Sequence, residues 1–551
     1  MAEFTEGLRG APGVEAPAPG YGTAGFRAAA ARLRGVGFRA GLLAALRSAA
    51  CEGRATGVAV TASHNPGGDN GLKVADPGGG MLAVAWEAHA EALAAAGDAA
   101  ALRAAAAAVM VAEGVPTGPA LVLVARDTRP SGEALAQEVL AGARALSGAQ
   151  AEDLGVLTTP QLHWAVMCRN QGRPSGEQDY YAALGCACEA LIDSDAREGG
   201  AHGTLVVDCA NGVGALKAGS ALEVALAGAG MRLQIANAET ADVALLNADC
   251  GADFVQKERR LPRGLDANRP GVGSAGGTAT RFVSLDGDAD RLVYFRPAPG
   301  GSTPGRVDLL DGDRIAILLA VWLRRLVGGL PPGFSRRLGR DPRLGVVQTA
   351  YANGASTAYI VETLGLPVAT ARTGVKHLHA AAEQFDLGVY FEANGHGTAL
   401  FGEDFAQALA GEAEGGNLTA RQLLHAREVL SQAVGDGLGG ILAVECALAR
   451  LGWGADEWLA LYEDLPSSAG KVPVRDRCCM KTSSDEVTVI HPTGLQARID
   501  AAVAVAGPSA RSFVRPSGTE DIVRVYAEAA TEEAAAALME RVSAATSEAL
   551  A

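Results

Sequence analysis

A serine followed by a histidine, Ser63 and His64, stands in the hexapeptide TASHNP at 61–66, directly after the β-rich run at 56–60. A hydroxyl at a strand exit becomes a useful nucleophile only when a base or a metal activates it. His64 is the neighbouring group able to move a proton. NGLK at 70–73 adds Lys73, whose ammonium can stabilise charge or, with a lowered pKa, act as a base. Further on, DGDAD packs Asp286, Asp288 and Asp290 into five positions. Two carboxylates about 4 Å apart repel by roughly 4 kcal/mol at an intermediate dielectric, so three together call for a cation. Ligands that are all oxygen suit Mg²⁺ or Ca²⁺. Arg291 stands where an EF-hand needs its turn glycine, so the better fit is Mg²⁺ with positions open to a phosphate oxygen.

Three further loops carry polar groups at regular spacing. FEANGHGT at 391–398 offers Glu392, Asn394 and His396 for sugar hydroxyls. RPSGTED at 515–521 offers the guanidinium fork of Arg515, the hydroxyls of Ser517 and Thr519, and free N–H groups around Gly518. Those are the parts of a phosphate cradle. Arg524, two strand positions beyond Ile522, is expected to face the same way. TGVKHLH at 373–379 adds Lys376 and His377 as a cleft-facing pair, with His379 read as a helix-surface histidine. Arg27 in YGTAGFR and Arg126 in RDTRPS are further cationic candidates. Taken singly, each loop also reads as an ordinary polar turn. Together they imply phosphoryl transfer on a sugar phosphate.

The elements that must position these loops alternate between strand-like and helix-like segments. Leu42, Leu43 and Leu46 form a helical stripe, and LVLVA at 121–125, TLVVDC at 204–209, GVVQT at 345–349, LGVYF at 387–391 and IVRVY at 522–526 read as strands. Thr531 is placed to cap a last helix, with Glu532 and Glu533 in its first turn. Repeated β-loop-α units predict mostly parallel sheets with ligands at the carboxyl ends of strands. A chain of 551 residues exceeds a single core. Polar, Gly- and Pro-rich stretches divide it into four expected domains, 1–173, 174–297, 298–463 and 464–551. The Gly-rich stretch at 262–280 is expected to be a mobile loop. The net charge of −15 argues against a nucleic-acid partner, while local arginines can still bind an anionic substrate. Nine Cys without CxxC spacing point to neither zinc nor a redox pair, and fit a reduced, cytoplasmic setting. The start MAEFTEGLRG lacks a signal-peptide core, and no run of about 18 or more apolar residues predicts a membrane span.

The strings YGTAGFR, TASHNP, RDTRPS, TTPQLH at 158–163, VDCANGVGALK at 207–217, GADFV at 251–255, DGDADR, VVQTAYANG at 346–354, TGVKHLH, EANGHGTALF and FVRPSGTEDIVRVYAEA resemble the α-D-phosphohexomutase superfamily along nearly the whole chain. The likeness is closest to its eukaryotic phosphoacetylglucosamine mutase branch. Most of the superfamily has Ser where Asn394 stands, and an amide that donates and accepts suits an N-acetyl group. RDTRPS also follows TASHNP here, whereas the corresponding segment precedes the serine loop in most members.

The resemblance implies four domains around a central cleft: three related α/β domains and a smaller C-terminal α+β domain. It implies Ser63 as phosphoserine, and one Mg²⁺ per chain held by Ser63, Asp286, Asp288 and Asp290. His64 and Lys73 become the proton-transfer candidates, and Arg291 the residue that closes the metal loop. Glu392 and Asn394 become the sugar contacts, and Arg515, Ser517, Gly518 and Thr519 the distal phosphate site. It further implies a sugar 1,6-bisphosphate primer, small-molecule sugar phosphates as partners, with no nucleic acid and no membrane, and a monomer or weak homodimer. The activity implied is conversion of N-acetylglucosamine 6-phosphate to the 1-phosphate, feeding UDP-GlcNAc synthesis. Phosphoglucomutase or phosphomannomutase chemistry is the nearest alternative, distinguished by the sugar loop. A catalytically silent homologue would have lost Ser63, an Asp of the metal loop or Arg515, and all are present.

Overall fold

The computed structural model describes residues 6–15, 17–22, 24–192, 203–228, 230–266, 280–298, 305–517 and 521–550. The segments read from the sequence recur as Thr56–Val60, Ala120–Arg126, Thr204–Asp208, Leu344–Thr349, Leu387–Phe391 and Ile522–Glu528. Leu42, Leu43 and Leu46 are fully buried on helix Val36–Ala50. Thr531 accepts the N–H of Ala534 at 3.2 Å and so caps Glu532–Leu550. The alanine-rich stretch near 100 is helix Ala99–Ala112, capped by Asp98 and buried along Leu102, Ala106, Val109 and Met110.

The chain folds into two compact units that interleave in sequence. The first comprises Met1–Asp311, Asn394–Thr398 and Arg421–Gly454. It holds a six-stranded sheet in the order Tyr21–Gly22, Gly25–Ala29, Asp69–Ala75, Thr56–Val60, Ala120–Arg126, Ala149–Val156. It also holds a five-stranded sheet in the order Val307–Leu310, Leu292–Pro297, Thr280–Leu285, Thr204–Asp208, Arg232–Ala236. The second unit comprises Gly312–Ala393, Ala399–Ala420 and Ala455–Ala551. Its strands Val368–Ala371, Leu344–Thr349 and Leu387–Phe391 pair in parallel. A separate three-stranded sheet, Ser467–Pro473, Ile522–Glu528 and Arg511–Pro516, is antiparallel throughout.

The sheets are mixed, not mostly parallel as expected, and the difference lies at the loops of interest. Thr56–Val60 runs antiparallel to Asp69–Ala75, pairing Ala59 with Lys73. Thr280–Leu285 runs antiparallel to Leu292–Pro297, and Arg511–Pro516 to Ile522–Glu528. The TASHNP, DGDAD and RPSGTED loops are therefore hairpin connections. A short loop can only return beside its own strand, because a parallel neighbour requires a long crossover. Most of the Gly-rich stretch at 262–280 lies outside the described residues. Among the described residues no helix is long and apolar enough to cross a membrane.

Candidate active site

The first cluster lies within the first unit and begins with the serine hairpin. Thr56–Val60 is buried along its whole length and delivers Thr61 and Ser63 to its end. The Ser63 N–H donates to Thr61 Oγ1 at 3.0 Å, and Thr61 Oγ1 donates to Asp127 Oδ2 at 2.7 Å. Ser63 takes a left-handed backbone, φ 53°. Its hydroxyl donates to Asp286 Oδ2 at 2.6 Å and lies 3.4 Å from His64 Nδ1. Burial and the nearby Arg291 charge push His64 down to about 3, so its imidazole is neutral in this arrangement.

The hairpin also explains Lys73. Being the register partner of Ala59, it returns to the serine end of the sheet. There its ammonium donates to Asp288 Oδ2 and to Asp290 Oδ2, each at 2.7 Å. Burial opposes the charge, but these two carboxylates outweigh it and hold the Lys73 pKa above the ordinary value. Of the two roles open from the sequence, the geometry favours the ammonium over the base.

The metal loop is shaped by contacts at its back. Asp286 Oδ1 accepts the N–H groups of Asp290 and Arg291 at 3.1 and 3.2 Å. Gly287 approaches the serine hairpin so closely that a Cβ there would lie 2.5 Å from the Ser63 carbonyl oxygen. One oxygen from each of Asp286, Asp288 and Asp290 falls within 4.8 Å of the others, all buried. Asp288 Oδ1 and Asp290 Oδ1 are buried without a hydrogen bond among the described residues. A compact set of hard oxygen donors with vacant lone pairs fits a small divalent cation. Burial, then repulsion from Asp290 and Asp288, raises Asp286 well above the carboxylate range. Asp290 lies well below it, because Lys73 and then His396 outweigh its burial. Arg291 reaches Asp253, Asp286 and Asp290 at 3.6–3.8 Å.

One member of this cluster, Thr159, carried no local signal, and others take partners that were not expected. Thr159 Oγ1 donates to Asp288 Oδ2 at 2.7 Å, from the first turn of Thr159–Asn170. That helix is closed by a Thr158–Gln161 capping box, so its positive N-terminal end meets the acidic loop. His396, considered for sugar hydroxyls, instead sets Nδ1 3.4 Å from Asp290 Oδ1. It is carried there by Gly395, whose Cβ would stand 1.9 Å from the Leu292 carbonyl oxygen. Asn394 Oδ1 accepts the His396 N–H at 3.0 Å, which uses one of its two lone pairs within the turn. Arg27 reaches Asn65 Oδ1 at 3.2 Å, beside the serine loop. Arg126 pairs with Glu133 and Asp153 and is not part of the cluster.

The second cluster lies within the second unit. Glu392 Oε1 accepts the Gly374 N–H at 3.0 Å, which brings it to the N-terminal end of Val375–Ala382, where Lys376 and His377 stand. His379 lies on its helix partly exposed, its side chain 25% accessible. It is half-buried against Tyr390, Nδ1 to OH 3.0 Å, and burial pushes it down to about 4. Arg515 donates to both oxygens of Glu486, at 3.1 and 3.3 Å, and to the Tyr351 hydroxyl at 3.2 Å. Burial opposes its charge, yet Tyr351 and Glu486 together keep its pKa raised. Ser517 closes the hairpin through its N–H to the Ile522 carbonyl at 2.9 Å. Gly518 and Thr519 lie outside the described residues. Arg515 and Arg524 are direct cross-strand partners, and Arg524 also opposes Lys471. Like charges facing each other across strands are unfavourable, and for Arg515 the Glu486 carboxylate offsets this. A separate cavity of about 890 Å³ in this unit is lined by Val321, Arg324, Arg343 and Phe385, and by none of the expected site residues.

Known proteins are similar to this chain along its length. Residues 172–293 match "Phosphoacetylglucosamine mutase AMG1, domain II" and 311–453 match its domain III. Residues 42–101 and 97–172 match the alpha/beta/alpha domain I of phosphoglucomutase/phosphomannomutase, and 478–545 match its C-terminal domain. The chain is 44% identical over 541 residues to the phosphoacetylglucosamine mutase of Oryza sativa subsp. japonica, covering 95% of this chain and 93% of that protein. The crystal structure of Aspergillus fumigatus N-acetylphosphoglucosamine mutase in complex with GlcNAc-6P and magnesium is 40% identical, with TM-score 0.88 over 99% of both chains. A serine-to-alanine variant of that fungal enzyme, in complex with glucose 1,6-bisphosphate, has TM-score 0.84 at 39% identity, over 99% of this chain and 98% of that one.

Proposed function

The chain belongs to the phosphoacetylglucosamine mutase family, and from that premise we propose that it interconverts N-acetylglucosamine 6-phosphate and N-acetylglucosamine 1-phosphate through a phosphorylated Ser63, feeding UDP-GlcNAc synthesis. The observation that carries this reading is the Ser63 hydroxyl held 2.6 Å from Asp286 inside a buried three-carboxylate cluster. Asp286, Asp288, Asp290 and the Ser63 phosphate would hold one Mg²⁺, which when bound draws negative charge from the transferring phosphoryl group.

The protein's own groups divide the remaining work. In the first half-reaction the Ser63 Oγ–P bond breaks, and a bond forms to O1 of the 6-phosphate, giving a sugar 1,6-bisphosphate. The sugar hydroxyl must lose its proton, and neutral His64 is the acceptor. Lys73 stays an ammonium and restrains Asp288 and Asp290, while Arg291 balances charge at the mouth of the metal loop. After the bisphosphate turns over, the O6–P bond breaks, a new bond forms to Ser63 Oγ, O6 regains the proton held by His64, and the 1-phosphate leaves. Glu392 and Asn394 contact the sugar, with Lys376 and His377 beside Glu392. Arg515, Ser517, Gly518, Thr519 and Arg524 hold whichever phosphate is not reacting. A sugar 1,6-bisphosphate primes the serine.

The domain limits 1–173, 174–297, 298–463 and 464–551 belong to the same proposal, as do a cytoplasmic setting and a monomer or weak homodimer. The test is Ser63→Ala. The variant is expected to lose turnover, and the single phosphoryl group expected on the wild-type intact mass is expected to disappear with it. Near-normal turnover by the purified variant would refute the mechanism.

A further inference from the structure

Behind the reacting hydroxyl, the serine loop is gripped by a buried guanidinium. The Arg129 side chain is 0% exposed. All five of its N–H groups are used. Nε donates to Asp127 Oδ2 at 2.9 Å. Nη1 donates to the carbonyls of Pro66 and Asp69 at 2.6 and 2.8 Å. Nη2 donates to those of Ser63 and Asn65 at 2.9 and 2.8 Å. Asn247 Nδ2 donates to the same Ser63 and Asn65 carbonyls, at 3.0 and 3.1 Å. Asp127 also accepts the Thr61 hydroxyl, which in turn accepts the Ser63 N–H.

We infer that Arg129, supported by Asn247 and Asp127, is the positioning residue that fixes Ser63 for phosphoryl transfer; this rests on the function proposed above. Ser63 sits at φ 53°, a conformation that a non-glycine residue keeps only where its surroundings over-determine it. The grip also fixes the direction of the loop dipoles. The Ser63 and Asn65 carbonyl oxygens each accept from both Arg129 and Asn247, so neither peptide unit is free to turn while the serine reacts. Lysine cannot replace this group, because three donors on a point charge do not reproduce five on a planar fork.

The experiment uses the full chain, primed on Ser63 with glucose 1,6-bisphosphate and mixed with N-acetylglucosamine 6-phosphate, reading single-turnover transfer, steady-state KM and melting temperature. Arg129→Lys is expected to slow transfer by about 10–100-fold with KM changed by less than about twofold. Asn247→Ala, which removes only the second bond to each carbonyl, is expected to slow it by about 3–10-fold, and it decides the matter if Arg129→Lys does not fold. Wild-type transfer in a folded variant, whatever its melting temperature, would overturn the inference and leave Arg129 a scaffold residue. A KM rise that accounts for the whole loss would also overturn it. A wild-type chain that accepts no phosphate on Ser63 would instead sink the proposed function.

Discussion

Replacing Lys73 with Met removes one ammonium from between two buried carboxylates while keeping most of its apolar stem. The Lys73 side chain is 4% exposed, and its contacts to Asp288 and Asp290 are both 2.7 Å. At an effective dielectric of ~20, each contact carries about 6 kcal/mol of attraction. Desolvation of the three groups offsets most of that sum, and removing one partner of such a buried cluster costs about 3–5 kcal/mol net. Without Mg²⁺, Lys73→Met is therefore expected to melt on the order of 5–10 °C below wild type. A bound Mg²⁺ supplies positive charge to the same carboxylates, so the gap is expected to narrow when EDTA is replaced by Mg²⁺. The assay is thermal unfolding of both proteins in EDTA and in Mg²⁺. Equal melting temperatures in EDTA, or a gap that Mg²⁺ leaves unchanged, would refute the reasoning that Lys73 is a charge partner of the metal loop.

Thr159→Val removes the hydroxyl that Asp288 accepts and leaves a buried carboxylate oxygen with one donor fewer. A loss of about 1–3 kcal/mol is expected in unfolding experiments, with Thr159→Ser staying near wild type. His163 is fully buried, faces the Gly79 carbonyl from Nδ1 at 2.6 Å, and is held down to about 4 by burial. Its unfolded form binds a proton below about 6.5 while the folded form does not until about 4, so its contribution is present above that window and fades as pH falls through it. That fall amounts to about 3 kcal/mol, and His163→Gln is expected to flatten the melting temperature between pH 7 and 4 relative to wild type.

The parts of this fold that were legible in the sequence were local. The buried strand at 56–60, the three alternating carboxylates of DGDAD and the cap at Thr531 each announce themselves within a few residues. The hairpins did not. Asp69–Ala75 is buried on both faces and so lacks the alternation that marks an antiparallel strand with one solvated side. Without it, the return of Lys73 to the serine end could not be read. The residues missed at the site come from distant segments. Thr159 meets Asp288 across 129 positions, and Asn247 meets Ser63 across 184. Such contacts leave no trace in spacing. His396 stands in a loop legible as polar, but its partner is Asp290 and not the sugar hydroxyls expected of it, and only burial tells Arg129 from Arg126.

Acetylated-sugar phosphate mutase chemistry on Ser63 is what the proposed function requires of this protein. It is tested most directly by a coupled assay for N-acetylglucosamine 1-phosphate formed from the 6-phosphate, after priming, in Mg²⁺ and in EDTA, with glucose 6-phosphate alongside. Turnover is expected to need the metal and to prefer the acetylated sugar. Turnover of neither sugar phosphate by primed enzyme in Mg²⁺ would contradict it, and a preference for glucose 6-phosphate would contradict the reading of Asn394.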